Sequence, residues 1–143
     1  MNSVGRILAM DYGNKRVGLA VTDENRIIAT GLDTVPTHTL IPFLKKYLLN
    51  EKVDIIVIGK PMRMHFEVPE IEKQIGAFIK HLHKEIPDMP IERYDERFTS
   101  KMAFQTMIDA GLKKEARKDK ALVDKISATI ILQSYMEYLS NKL

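Results

Sequence analysis

From Val53 to Ile58 the chain reads Val-Asp-Ile-Ile-Val-Ile, a run almost wholly apolar and β-branched. Branching at Cβ favours extended backbone, and a strand without polar alternation is one covered on both faces. A sheet buried on both sides needs helices on both sides, which points to a layered α/β fold.

The flanking segments agree with that demand. The short apolar run from Arg6 to Met10 stops at Asp11-Tyr12-Gly13-Asn14, a turn signal, so the first strand closes on an acid. Val17, Leu19 and Val21 then alternate with Gly18, Ala20 and Thr22, a second strand with small residues on one face. Asp23-Glu24-Asn25 turns the chain into a third strand expected across Arg26 to Thr34. Thr39 is expected to cap a helix with Pro42 in its first turn and Leu44, Tyr47 and Leu48 on its buried side. Pro69 opens a second helical pattern, in which Ile71, Ile75, Phe78, Ile79 and Leu82 keep a 3.6-residue spacing until Pro87. Pro90 to Tyr94 is a short strand, Thr99 or Ser100 caps a helix stopped by Gly111, and a last helix runs from about Ala121 to Leu139. The order βββαβαβαα predicts a mixed sheet with helices on its faces, and with no linker or repeat in the way, one domain spans residues 1–143.

Composition narrows the chemistry. There is no cysteine, which removes thiol nucleophiles, disulfides and thiolate metal sites, leaving oxygen or imidazole as metal ligands and fitting a reducing compartment. No apolar run approaches the length of a membrane span, and no signal-peptide pattern precedes the first strand, so a cytoplasmic protein without a membrane partner is expected. The net charge of +3 is concentrated in one place. Lys113 to Lys125 holds six basic and three acidic residues, and the rest of the chain is balanced at 16 against 16. Such a segment suits a polyanion contact or a plain solvated face.

The candidates for chemistry are acids at the ends of elements: Asp11 after the first strand, Asp95 and Glu96 after the last, and Asp124 in the first turns of the terminal helix. Sites in layered α/β folds gather at the carboxyl ends of strands. Hard divalent cations take oxygen ligands, and a pair of them can activate a water and stabilise a leaving oxygen without a covalent nucleophile. Each acid also has a duller role open to it. Asp11 can be a turn former, Asp124 a partner of the helix dipole, and Glu96 an ion pair with Arg97 or Arg93. His81 and His83, two apart, face different ways on a helix and suit the surface, and Met62, Met64, Met102, Met107 and Met136 suit packing. Tyr135 and Tyr138 suit a core or a dimer face; Tyr12, Phe66 or Phe98 can stack on bases, although no patterned aromatic platform is visible.

Four motifs in order carry a resemblance. They are Ala9-Met10-Asp11-Tyr12-Gly13-Asn14-Lys15-Arg16-Val17-Gly18-Leu19-Ala20-Val21; Val57-Ile58-Gly59-Lys60-Pro61; Asp95-Glu96-Arg97-Phe98-Thr99-Ser100 with Ala103; and Val123-Asp124-Lys125-Ile126-Ser127-Ala128 with Ile131-Leu132-Gln133. Together they cover nearly the whole chain, which resembles the YqgF family, also called RuvX, ribonuclease-H-like proteins described as pre-16S ribosomal RNA nucleases and as Holliday junction resolvases. The resemblance implies a ribonuclease-H-like fold, a five-stranded sheet with its second strand antiparallel and helices on its faces.

It further implies a metal-dependent nuclease acting on structured nucleic acid, with maturation of the 5′ end of pre-16S rRNA as the leading reading. Asp11, Glu96 and Asp124 take the places of the acids that hold Mg²⁺ or Mn²⁺, as a pair of ions. Adjacent side chains of an extended segment point opposite ways, so Asp95 and Glu96 are not expected to serve equally. Gly13 and Gly18 take positions of close backbone approach or of tight turn packing. Lys15, Arg16, Lys60, Arg97, Lys118 and Lys120 suit contacts to phosphate, which give affinity without sequence choice. The implied partners are pre-rRNA, ribosomal precursor particles or branched DNA, bound by a monomer or homodimer. The chain departs from the family at Gly59-Lys60-Pro61-Met62-Arg63-Met64-His65-Phe66, where a small-residue loop with Asp-Gly is usual. Two other readings stand beside the rRNA nuclease: a resolvase of DNA junctions, and a binder of RNA that does not cut. An actin-like half is set aside because that architecture needs two lobes.

Overall fold

The structure is a computed structural model, and it describes residues 4–61, 69–96 and 119–141. Five strands form one sheet: β1 (Arg6–Tyr12), β2 (Arg16–Thr22), β3 (Ala29–Pro36), β4 (Val53–Lys60) and β5 (Ile91–Asp95), in the spatial order β3-β2-β1-β4-β5. β2 runs antiparallel to both of its neighbours, whereas β1, β4 and β5 are parallel. This is the mixed sheet with an antiparallel second strand expected of a ribonuclease-H-like chain. A turn of 3-10 helix at Thr37–Thr39 leads into α1 (Leu40–Asn50), α2 (Ile71–Glu85) joins β4 to β5, and α3 (Lys120–Asn141) ends the described chain. The helix expected from Thr99 or Ser100 to Gly111 lies outside the described residues.

Side-chain alternation divides the core into two layers. Leu8 and Met10 of β1, Leu19 of β2 and Ile56 and Ile58 of β4 face one way and meet Leu40 and Leu44 of α1 and Ile75, Phe78 and Leu82 of α2. Ile7 and Ala9, Ala20 and Val57 face the other way and meet Ala128, Ile131, Leu132 and Tyr135 of α3. The β4 run that demanded cover on both faces has it, with Ile56, Val57 and Ile58 all fully buried.

Three boundaries differ from expectation. β1 continues through Asp11 to Tyr12, and the hairpin turn follows at Gly13, whose N–H donates to the Arg16 carbonyl at 3.0 Å. Asp11 is therefore paired in the ladder opposite Gly18 and is not a turn former. β3 begins three residues later than expected, because Asp23 Oδ1 accepts from the Ile27 and Ile28 N–H groups and holds them in the turn. Thr39 precedes α1 but does not cap it; its hydroxyl bonds back to the Pro36 carbonyl at 2.8 Å.

Candidate active site

The α3 face of the sheet is lined with small residues where the site forms. Gly18 lies opposite Asp11 in the ladder, and a Cβ added to it would stand 2.0 Å from the backbone oxygen of Asp124. Only a residue without a side chain lets the first turns of α3 come this close to β2. Gly59, near the end of β4, leaves similar room: a Cβ there would meet Glu96 Oε1 and Ile131 Cδ1, each at 2.8 Å. Two glycines thus set how near two of the acids approach the strand that carries the third.

The three acids converge. Glu96, in the turn just past β5, hydrogen-bonds Asp11, and the charge of Asp124 acts on Asp11. Two carboxyl groups can hydrogen-bond only when one keeps a proton, and the proton belongs to Glu96. Burial, the neighbouring Asp11 charge and its own donation to Asp11 push Glu96 up to about 8, against the pull of the Arg93 guanidinium. Asp11 is also raised, chiefly by burial and then by the Asp124 charge, while acceptance from Glu96 works the other way. Of the adjacent acids at the end of β5, Glu96 bonds Asp11, whereas Asp95 sits in register with Lys60 and adds to the charge that raises Glu96.

Asp124 is engaged by a cation. The Arg16 Nε–H donates to Asp124 Oδ2, linking the start of β2 to the start of α3. Arg16 was expected among the phosphate contacts; here its guanidinium lies on an acid of the site. Among the described residues no three His, Asp or Glu side chains are arranged as a ready metal cage.

The other expected contact residues are spread around this end of the sheet. Lys15 is exposed in the β1–β2 hairpin, Lys60 is exposed at the end of β4, and Lys120 is exposed at the start of α3. Arg97 and Lys118 lie outside the described residues, as do most of the basic segment and the departing loop beyond Pro61. Arg93 is a residue that sequence reasoning offered only as an ion-pair partner of Glu96. It grips Glu72 of α2 with two nitrogens, Nη2 at 2.9 Å from Oε2, and its Nη2 also donates to the Gly59 carbonyl at 3.0 Å. It thereby fixes the backbone of the glycine that makes space for Glu96. No sequence spacing singles it out, since Glu72 and Arg93 meet only through the packing of α2 beside β5. Tyr135 and Tyr138 form an edge-packed cluster with Tyr94, and the Tyr135 hydroxyl donates to Glu92 on β5, placing Tyr135 in the core layer.

Comparison with known proteins agrees with the resemblance in its parts. The family described as "RuvX: Holliday junction resolvase" matches residues 5–138. A protein of Flavobacterium johnsoniae named "Putative pre-16S rRNA nuclease" is 56% identical over 131 residues, covering 92% of this chain and 95% of that one. Relatives of the same name from Bacteroides fragilis (57% over 134 residues, 94% and 97% covered) and Christiangramia forsetii (58% over 133 residues, 93% and 98% covered) are similar to the same extent. With residues 5–138 matched by the family and relatives more than half identical over nearly the full length, the chain belongs to the RuvX family.

Proposed function

We propose that this protein is a metal-dependent nuclease that hydrolyses phosphodiester bonds in structured nucleic acid, and that its reaction is maturation of the 5′ end of pre-16S rRNA in the cytoplasm. The observation that carries this is the convergence of Asp11, Glu96 and Asp124 from three distant segments. Gathering three acids, one of which must hold a proton, is costly for a protein that only grips phosphates, and this counts against a purely binding role. The rRNA substrate follows the names of the relatives.

The donor set suits Mg²⁺ or Mn²⁺. It is made of carboxylate oxygens; burial first, and then the neighbouring Asp11 charge, keep Glu96 protonated, and a divalent cation would offset both. Asp11 and Glu96 would hold the ions, with Asp124 joining them when it exchanges Arg16 for metal. When bound, such ions supply an activated water and charge stabilisation at the leaving oxygen. The protein's own part is to keep Asp11 half-buried and fixed in the ladder, to give up the Glu96 proton, and to present cations to the substrate. Arg16, once released from Asp124, is placed to meet a phosphate beside the acids, and Lys15, Lys60 and Lys120 line the approaches.

The test is cleavage of a 5′-extended 16S precursor by purified protein with Mg²⁺, beside Asp11→Asn and beside wild type in chelator. Cleavage lost in both arms supports the reading; cleavage undiminished by Asp11→Asn or by chelation refutes it. The family description favours a second reading, resolution of DNA junctions. That reading calls for paired nicks across a four-way junction by a dimer, and a protein that stays monomeric on the junction excludes it.

A further inference from the structure

On the side of the sheet facing away from the acids, α1 and α2 leave an open groove of about 1040 Å³ that ends at the β1–β2 hairpin. We propose that this groove receives the unpaired nucleotides flanking the scissile phosphate, so that the substrate strand crosses the carboxyl end of β1 from the acids into the space between the helices. The inference rests on the nuclease reading and adds a substrate class to it: nucleic acid with a single-stranded segment beside the cut.

Continuity is the first reason. Asp11 and Tyr12 are adjacent in β1, so their side chains leave opposite faces of the sheet: Asp11 toward α3, Tyr12 into the groove. Both ends of the path therefore hang on one peptide unit. Lys15 extends from the hairpin between them, and its carbonyl accepts from the Thr37 N–H at 3.0 Å, while the Thr37 hydroxyl donates to the Gly13 carbonyl at 2.7 Å. The turn beside the acids is thus bonded directly to the wall of the groove.

The lining is the second reason. The half-buried ring of Tyr12 packs on Phe78, centroids 5.1 Å apart, and together with Ile41 and Pro42 gives an apolar floor against which a base can lie. Asn14, Gln74 and His38 on the rim are exposed and able to donate to or accept from base edges. Glu85 is the sole acid among the described lining residues, and Lys45 and His81 both pair with it. Lys15 then leaves the described lining with net positive charge. An apolar floor, amide and imidazole rims and a cation toward the active site suit bases with a trailing phosphate better than a duplex, whose bases are turned inward.

The experiment uses an exposed position on α2 that takes no part in the core. Ala77→Glu and the double variant Gln74→Glu/Ala77→Glu place carboxylates on the groove wall, and circular dichroism checks that each folds. Binding is read in chelator by fluorescence anisotropy with labelled single-stranded RNA and with blunt duplex RNA. The double variant should bind the single strand about tenfold or more weakly, the loss of roughly one stacked base, and the duplex as wild type does. RNA carrying photoreactive uridine should crosslink to peptides containing Tyr12, His38 or His81. Single-strand affinity equal to wild type, an equal loss on duplex, or crosslinks confined to other surfaces would each overturn the inference. Asp11→Asn separates the two proposals. It should keep wild-type affinity for the single strand while losing cleavage; if it still cleaves undiminished, the assignment of cleavage to the acid cluster fails whatever the groove binds.

Discussion

The Nε–H of Arg16 donates to the carboxylate of Asp124, closing a contact between residues 108 positions apart and fixing the start of α3 to the start of β2. The same pair ties up one of the three acids, so it opposes metal binding while it orders the acid cluster. Replacing Arg16 by Ala should raise affinity for Mn²⁺ and at the same time weaken substrate binding, visible as a higher KM. A stability loss of about 1 kcal/mol or less is expected, since the pair is partly exposed. Calorimetric Mn²⁺ titration beside steady-state cleavage separates the two effects.

Gly18→Ala should be the most damaging glycine-to-alanine change among the described residues. Its Cβ would collide with a backbone oxygen of Asp124, which cannot swing aside as a side-chain tip can. A loss of about 3 kcal/mol is expected, at the high end of overpacking costs, together with loss of activity as α3 is pushed from β2. Gly59→Ala meets two flexible side-chain ends instead, Glu96 and Ile131, so about 1–2 kcal/mol is expected. Its activity should nonetheless fall more than tenfold, because Glu96 must move. Thermal melts alongside cleavage rates check both.

How much of this was legible in the sequence follows from the kind of signal each residue leaves. The central strand could be read from Val53 to Ile58, and the spacing from Ile71 to Leu82 gave α2, because burial writes periodicity into a chain. The alternation of Gly18 and Ala20 with Val17, Leu19 and Val21 already pointed to a face of small residues. That α3 is what needs the space is a tertiary fact no local pattern states. Motif resemblance picked out Asp11, Glu96 and Asp124; their convergence, the proton held by Glu96 and the capture of Asp124 by Arg16 depend on elements meeting across the sheet edge. Thr39 misled because a threonine before a helix normally caps it, whereas here a 3-10 turn gives its hydroxyl a nearer acceptor.

The proton on Glu96 makes the metal-free protein sensitive to alkali. An ordinary glutamate ionises near 4.5, and in the fold Glu96 is held up to about 8. Below the lower value both folded and unfolded chains are protonated and no penalty exists; between the two, the unfolded chain releases a proton that the fold retains. Stability without metal should therefore fall as pH rises from about 4.5 to about 8, by at most ~1.4 kcal/mol per unit for one proton, and level off above. Asp11, raised in the same direction, adds to the loss at the acidic end. Glu96→Gln should flatten most of this slope in urea melts taken across pH, and saturating Mg²⁺ should flatten it in the wild type.

The Arg93 clamp offers a change outside the acids. Arg93→Met should keep the aliphatic stem but release Glu72 and the Gly59 carbonyl, at a cost of about 2–3 kcal/mol for a partly buried charge-assisted network. Losing the guanidinium also removes the charge that pulls Glu96 down, so Glu96 should titrate higher than in the wild type. The pH at which activity switches on should shift upward, and carboxyl-selective NMR titration of Glu96 reads this directly.

The most direct test of the acid cluster is Mn²⁺ binding, followed by electron paramagnetic resonance above the pH at which Glu96 ionises, in wild type and in Asp11→Asn. The wild type should immobilise Mn²⁺ at the cluster and lose that signal when Asp11 becomes an amide. Equal binding by the two proteins would contradict the assignment of Asp11, Glu96 and Asp124 as one metal site.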